Sequence, residues 1–158
     1  MKIKRSHQRG FTLIELIAVL VILGIVSVLG SMGLVEIAKG FIFLKKNAAA
    51  AGQTKVAMAR LVKEFSAIQS IASATSTSIT YTRAPGETHT VSCTAENQPV
   101  TIDGDTLIGN VKSFSLAYYN AYNGSATAYS SSTAVIQVTL VIKGYDDTPL
   151  TFVDRIAI

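Results

Sequence analysis

Arg9-Gly10-Phe11-Thr12-Leu13-Ile14-Glu15 opens an apolar run that continues to Val35. Glu15 is the only ionisable residue between Phe11 and Val35. A carboxylate inside a membrane-length apolar stretch is unfavourable by about 2.5–3.5 kcal/mol at the helix centre, and by less near an end. The run of about 25 residues suffices to cross a bilayer, which takes about 20. Upstream lie Lys2, Lys4, Arg5 and Arg9 and no acid. The positive-inside rule therefore places the N-terminus in the cytoplasm and the rest of the chain outside. A cleaved secretory signal is an alternative, with Ser31-Met32-Gly33 as its small-x-small triple. Its apolar core would be longer than the usual 7–15 residues or so, and would carry a glutamate. An ordinary uncleaved anchor gives no role to Gly10 or Glu15.

Gly10-Phe11-Thr12-Leu13-Ile14-Glu15, with its basic leader and apolar helix, resembles the N-terminal signal of type IV pilins and type II secretion pseudopilins. The strong resemblance covers about Lys2 to Gly30. It implies cleavage between Gly10 and Phe11 by a prepilin peptidase, and N-methylation of the new amino terminus at Phe11. It also implies a place for Glu15 in assembly, facing the Phe11 amine of a neighbouring subunit. The implied partners are the peptidase, other pilin or pseudopilin subunits, an inner-membrane assembly platform and, before assembly, the lipid bilayer. The chain would be a single-pass inner-membrane protein first and part of a periplasmic or extracellular filament afterwards. The glycine suits such a cut, since without a Cβ the backbone can lie close in a protease site.

The chain has 14 basic and 10 acidic residues, a net charge of +4. Removing residues 1–10 takes away four of the basic ones and leaves the side chains balanced. The basic character therefore belongs to targeting, and a global electrostatic case for a nucleic-acid partner fails. Lys39, Lys45 and Lys46 follow the apolar run, placed for lipid headgroups, water or a polyanion. Cys93 is the single cysteine, so no intramolecular disulfide can form. Many major pilins close a C-terminal loop with one, and this departure favours a minor subunit. Cys93 itself reads as a small buried hydrophobe.

No proline occurs between Phe11 and Ala74, and Leu61, Phe65, Ile68 and Ala72 recur at helical spacing. The sequence thus predicts a leader over residues 1–10 and a transmembrane or filament-core helix over 11–35. An amphipathic continuation over 36–74 and a β-rich domain over 75–158 complete the chain. Gly30 to Gly40 is the expected place for bending or local melting in a filament. Beyond Ala74, Pro85-Gly86 and Asp103-Gly104-Asp105 mark hairpins, and Val135–Lys143 and Leu150–Ile156 flank a further turn. About five to seven short, mostly antiparallel strands are expected. The fold class is α+β: a long N-terminal helix packed on a C-terminal antiparallel sheet, as in pilins.

Ala59-Arg60-Leu61-Val62-Lys63-Glu64-Phe65, with Phe114-Ser115-Leu116-Ala117-Tyr118-Tyr119-Asn120 later, is similar to minor pilins and pseudopilins of the J and W types. A structural subunit of a pilus, a pseudopilin of a secretion system, and a tip adhesin or DNA-uptake subunit all stay open. The last would use Tyr122 and Tyr129 in the Asn120–Thr133 loop, whose rings could stack on sugars or bases. The chain shows no nucleophile–base set or phosphate loop, so no enzymatic activity and no cofactor are expected. Asp103-Gly104-Asp105 and Asp146-Asp147 could touch calcium. Two carboxylates per loop fall short of its 6–8 oxygen ligands or so, and turn chemistry explains both pairs.

Overall fold

The computed structural model describes residues 11–158. Among the described residues the one α-helix, α1, runs from Leu13 to Phe65, and a single 3-10 turn covers Tyr145–Asp147. Eight strands follow: β1 Ser70–Ala74, β2 Ser78–Ala84, β3 Glu87–Ser92, β4 Val100–Ile102, β5 Asp105–Ile108, β6 Val111–Tyr119, β7 Val135–Lys143 and β8 Pro149–Ala157. The chain divides into two units inside α1, between Phe43 and Leu44.

In the first unit, the described residues are helical from Leu13 onward. The sequence dictates this: Leu, Ile, Val and Ala fill the segment and no proline interrupts it. Thr12 starts the helix. Its carbonyl accepts the Leu16 N–H at 3.2 Å, and its hydroxyl accepts the Glu15 N–H at 3.4 Å. The apolar window that makes α1 long enough to cross a membrane is not buried against any other part of the chain.

The second unit holds the C-terminal part of α1, a five-stranded sheet in the order β1-β2-β3-β4-β5 and a three-stranded sheet in the order β6-β7-β8. Every strand pair is antiparallel. Leu61 and Phe65 are fully buried and join Ile79, Tyr81, Val91, Ile136, Val138 and Leu140 in one apolar cluster. The Phe65 ring meets Tyr81 edge-on at 5.8 Å, the arrangement that aromatic quadrupoles favour. Thr54, also fully buried, gives its hydroxyl proton to the Ala50 carbonyl at 2.8 Å and leaves no polar debt in the core. The α+β class expected from the sequence is the observed one.

The expected helix to Ala74 is corrected. The helix ends at Phe65, and residues 70–74 form an edge strand paired with β2. Ser66, Ala67 and Ile68 close the last turn through the carbonyls of Val62, Glu64 and Phe65, and the Gln69 N–H already donates to Thr82 O. Ser70, Ser73 and Thr75 favour local side-chain bonds over helix, and the free edge of β2 offers the backbone full pairing. Ile68 and Ala72 therefore leave the helical stripe to which their spacing assigned them. With β1 added, the strand count rises to eight.

The hairpin signals map directly. The Pro85-Gly86 turn joins β2 to β3, with Gly86 at φ 87°. Asp103-Gly104 joins β4 to β5 with both residues at positive φ, 56° and 91°, as a tight two-residue turn requires. Gly30, Gly33 and Gly40 lie within α1 with open space around each.

Candidate functional site

Phe11 stands just before the helix and is 80 % exposed. Gly10, and with it the expected cleavage bond, lies outside the described residues. Glu15 falls in the first turn of α1, where a negative charge complements the helix dipole. Thr12-Leu13-Ile14-Glu15 also has the spacing of a capping box, a local role for Thr12 that the sequence reading passed over. Phe11 and Glu15 are four residues apart at the helix start, and both face outward from the isolated chain. This end of the helix presents an apolar ring, a carboxylate and exposed Leu, Ile and Val side chains.

The lysines after the apolar run do not act as one cluster. Lys39 bonds Glu36 at 3.2 Å on the exposed surface. Lys46 places its ammonium 4.7 Å above the Tyr145 ring, leaving Lys45 exposed between them. Beside Lys46, Asn47 Oδ1 accepts the Tyr145 N–H at 2.7 Å and ties the β7–β8 turn to the helix. Two consecutive residues of that turn, Asp146 and Asp147, adopt φ values of 56° and 55°.

Tyr122 and Tyr129 do not share a face. Tyr129 lays its ring edge-on to Tyr118 at 5.7 Å and donates its hydroxyl to the Ile71 carbonyl at 3.4 Å. Tyr118 is a buried residue of β6. Tyr122 is 60 % exposed and lies near Arg155, whose guanidinium stacks 4.6 Å over Tyr119. Tyr118 and Tyr119 are successive in a strand and point to opposite faces. The loop thus presents Tyr122 outward and folds Tyr129 back.

Among the described residues, no group of three or more His, Cys, Asp or Glu is placed to hold a metal ion. Asp103 spends its carboxylate locally, 2.7 Å from His89 Nδ1 and 2.7 Å from the Thr90 N–H. Burial pushes its pKa up, but the bonds from His89 and Thr90 more than offset this and hold it below the usual range. Cys93 is buried, its thiol directed to the Ala95 carbonyl at 3.2 Å, and burial raises its pKa.

One polar cluster was not legible in the sequence. Glu64, almost buried, accepts bonds from Arg83 at 2.7 Å and from the Tyr81 hydroxyl at 3.2 Å. Burial alone would raise its pKa; the Arg83 bond and charge, with Tyr81 and Arg60, reverse the sign and lower it. Tyr81 is pushed well above the ordinary tyrosine value by burial and by the Glu64 charge. These bonds secure α1 on β2 and give the buried carboxylate and the buried Tyr81 hydroxyl a partner each.

A family model of the prokaryotic N-terminal methylation motif matches residues 5–31. No curated protein and no solved structure gives a significant match to the chain.

Proposed function

We propose that this chain is a structural subunit of a pilus-like filament, cleaved between Gly10 and Phe11 by a prepilin peptidase and N-methylated at Phe11. One combined observation carries the reading: the methylation motif over residues 5–31 leads into a helix whose apolar window no other part of the chain covers. A bilayer covers such a surface before assembly, and the helices of neighbouring subunits cover it afterwards. The topology is cytoplasmic leader, membrane helix, exported β-rich unit. The single cysteine is buried and supplies no disulfide, which favours a minor subunit over a major one.

In this reading cleavage does two things. It removes the basic leader, and it creates a positive amine at Phe11. Glu15, one turn into the helix, then answers the amine of the next subunit. Each charge alone in an apolar filament core is unfavourable by several kcal/mol, and pairing offsets both. The pair selects register: a neighbour displaced by one helical turn leaves both charges alone. Replacing Glu15 with Leu is expected to abolish incorporation into filaments while the cleaved subunit stays in the membrane. Incorporation at the wild-type level would remove Glu15 from this role.

A further inference from the structure

The exposed apolar surface of α1 is longer than a bilayer needs. Large apolar residues stay exposed from Leu13 to Leu44, whereas a membrane span takes about 20 residues. The exposed Glu36–Lys39 pair marks a polar break in that surface, the place for a headgroup layer. Phe41, Ile42 and Leu44 follow the break, 66 %, 45 % and 67 % exposed. Lipid that ends at Glu36 and Lys39 leaves these side chains uncovered, and contiguous apolar surface of this kind marks an interaction site.

The second unit has a groove of complementary character. It lies between the C-terminal part of α1 and β5, has a volume of about 500 Å³, and is lined by Val56, Ala57, Leu107 and Ile108, among others. Val56 is 72 % exposed at its side. Arg60 and Asp105 also line it, with the exposed Arg60 charge helping to hold the Glu64 carboxylate in its ionised form. Asp105 is exposed. The apolar stretch of α1 is followed at once by the exposed Lys45.

We propose that this groove receives the Phe41–Leu44 stretch of a second copy of the chain, with Lys45 of that copy meeting Asp105. The proposal rests on the filament reading, because copies inserted through one membrane in one direction lie parallel. Leu44 of one copy then stands level with Val56 of the other. This is an axial shift of about 18 Å for the twelve positions between them, at about 1.5 Å per residue. The contact covers the apolar surface beyond the headgroups and fixes an axial register independent of Phe11 and Glu15.

The test uses co-expressed full-length chains, one carrying Leu44→Cys and the other Leu107→Cys, so that any disulfide between them joins two copies. Val56→Cys, at an exposed position, replaces Leu107→Cys should the latter not fold. Chains with only Cys93, which is buried, give the background. Mild oxidation of sheared filaments is expected to yield the mixed dimer. Asp105→Lys on the host chain is expected to lower that yield several-fold, and Lys45→Glu on the guest chain to restore it. Filaments that assemble without a mixed dimer overturn the groove and leave the filament reading standing. The groove also falls if the yield ignores both charge changes, or if Leu107→Cys couples only to a different protein. Subunits that never enter filaments sink both readings.

Discussion

Gly144→Ala tests how the β7–β8 turn is fastened to the helix. The backbone at Gly144 is extended, at φ −78°, so an alanine meets no conformational penalty there. The obstacle is space: an added Cβ would lie 2.5 Å from Asn47 Oδ1 and 2.9 Å from the Thr148 carbonyl oxygen. Asn47 can swing away, but the Tyr145 N–H then loses its 2.7 Å acceptor, at a cost of about 1 kcal/mol. The Thr148 carbonyl is backbone and already accepts the Gly144 N–H at 2.8 Å, so it cannot retreat without opening the turn. Overpacking of this kind costs about 1–3 kcal/mol, giving roughly 2–4 kcal/mol together. At roughly 2–4 °C per kcal/mol for a chain of this size, thermal unfolding in detergent should shift down by about 5–15 °C. In an Asn47→Ala background the same substitution should cost less, by about 0.5–2 kcal/mol of coupling, and still not be free. A Gly144→Ala protein as stable as wild type, or strictly additive losses in the double variant, would show that Asn47 and the turn do not crowd Gly144 in this way.

Acid should loosen the second unit through Glu64 and Asp103. Both carboxyls titrate lower in the folded chain than in the unfolded one. Their stabilisation is therefore complete above the ordinary range, near 4.5 for Glu64, and lost as the pH falls through the lowered values. Glu64→Gln should flatten the fall in melting temperature below about pH 4.5, and an unchanged slope would exclude Glu64 as its source. Glu64→Ala should destabilise by about 1–3 kcal/mol, since the buried Tyr81 hydroxyl then lacks its acceptor; a loss under about 0.5 kcal/mol in chemical denaturation would contradict the cluster. Gly52→Ala should stabilise by about 0.5–1 kcal/mol, because Gly52 sits within α1 with nothing near an added Cβ. A lower melting point there would show contacts that the fold does not contain. Cys93, with its thiol buried and its pKa raised, should resist alkylation at neutral pH until the protein unfolds, and labelling at the rate of a free thiol would refute its burial.

What could be read from the sequence was what local chemistry decides. The helix start, both tight hairpins and strands β7 and β8 follow from apolar runs, period-two alternation and turn residues that need positive φ. The helix end could not be read this way. Leu61, Phe65, Ile68 and Ala72 keep a helical spacing, yet the helix closes at Phe65 and from Gln69 onward pairing with β2 outcompetes a weak helical preference. The Glu64–Arg83–Tyr81 cluster and the Asn47–Tyr145 bond join residues 17 to 98 positions apart, which no local pattern reveals. The loop tyrosines show a related limit. Composition put Tyr122 and Tyr129 in one segment, but the strand face that each packs against sends them to opposite sides.

In the proposed filament, the Gly10–Phe11 junction is cut and its new end modified, so that the helix enters by its own amino terminus. Intact-mass and N-terminal fragment mass spectrometry of the protein recovered from filaments tests this most directly. The expected product is a mature chain that begins at Phe11 with a methylated amine. A chain that retains residues 1–10, or that begins after Ser31-Met32-Gly33, would contradict it.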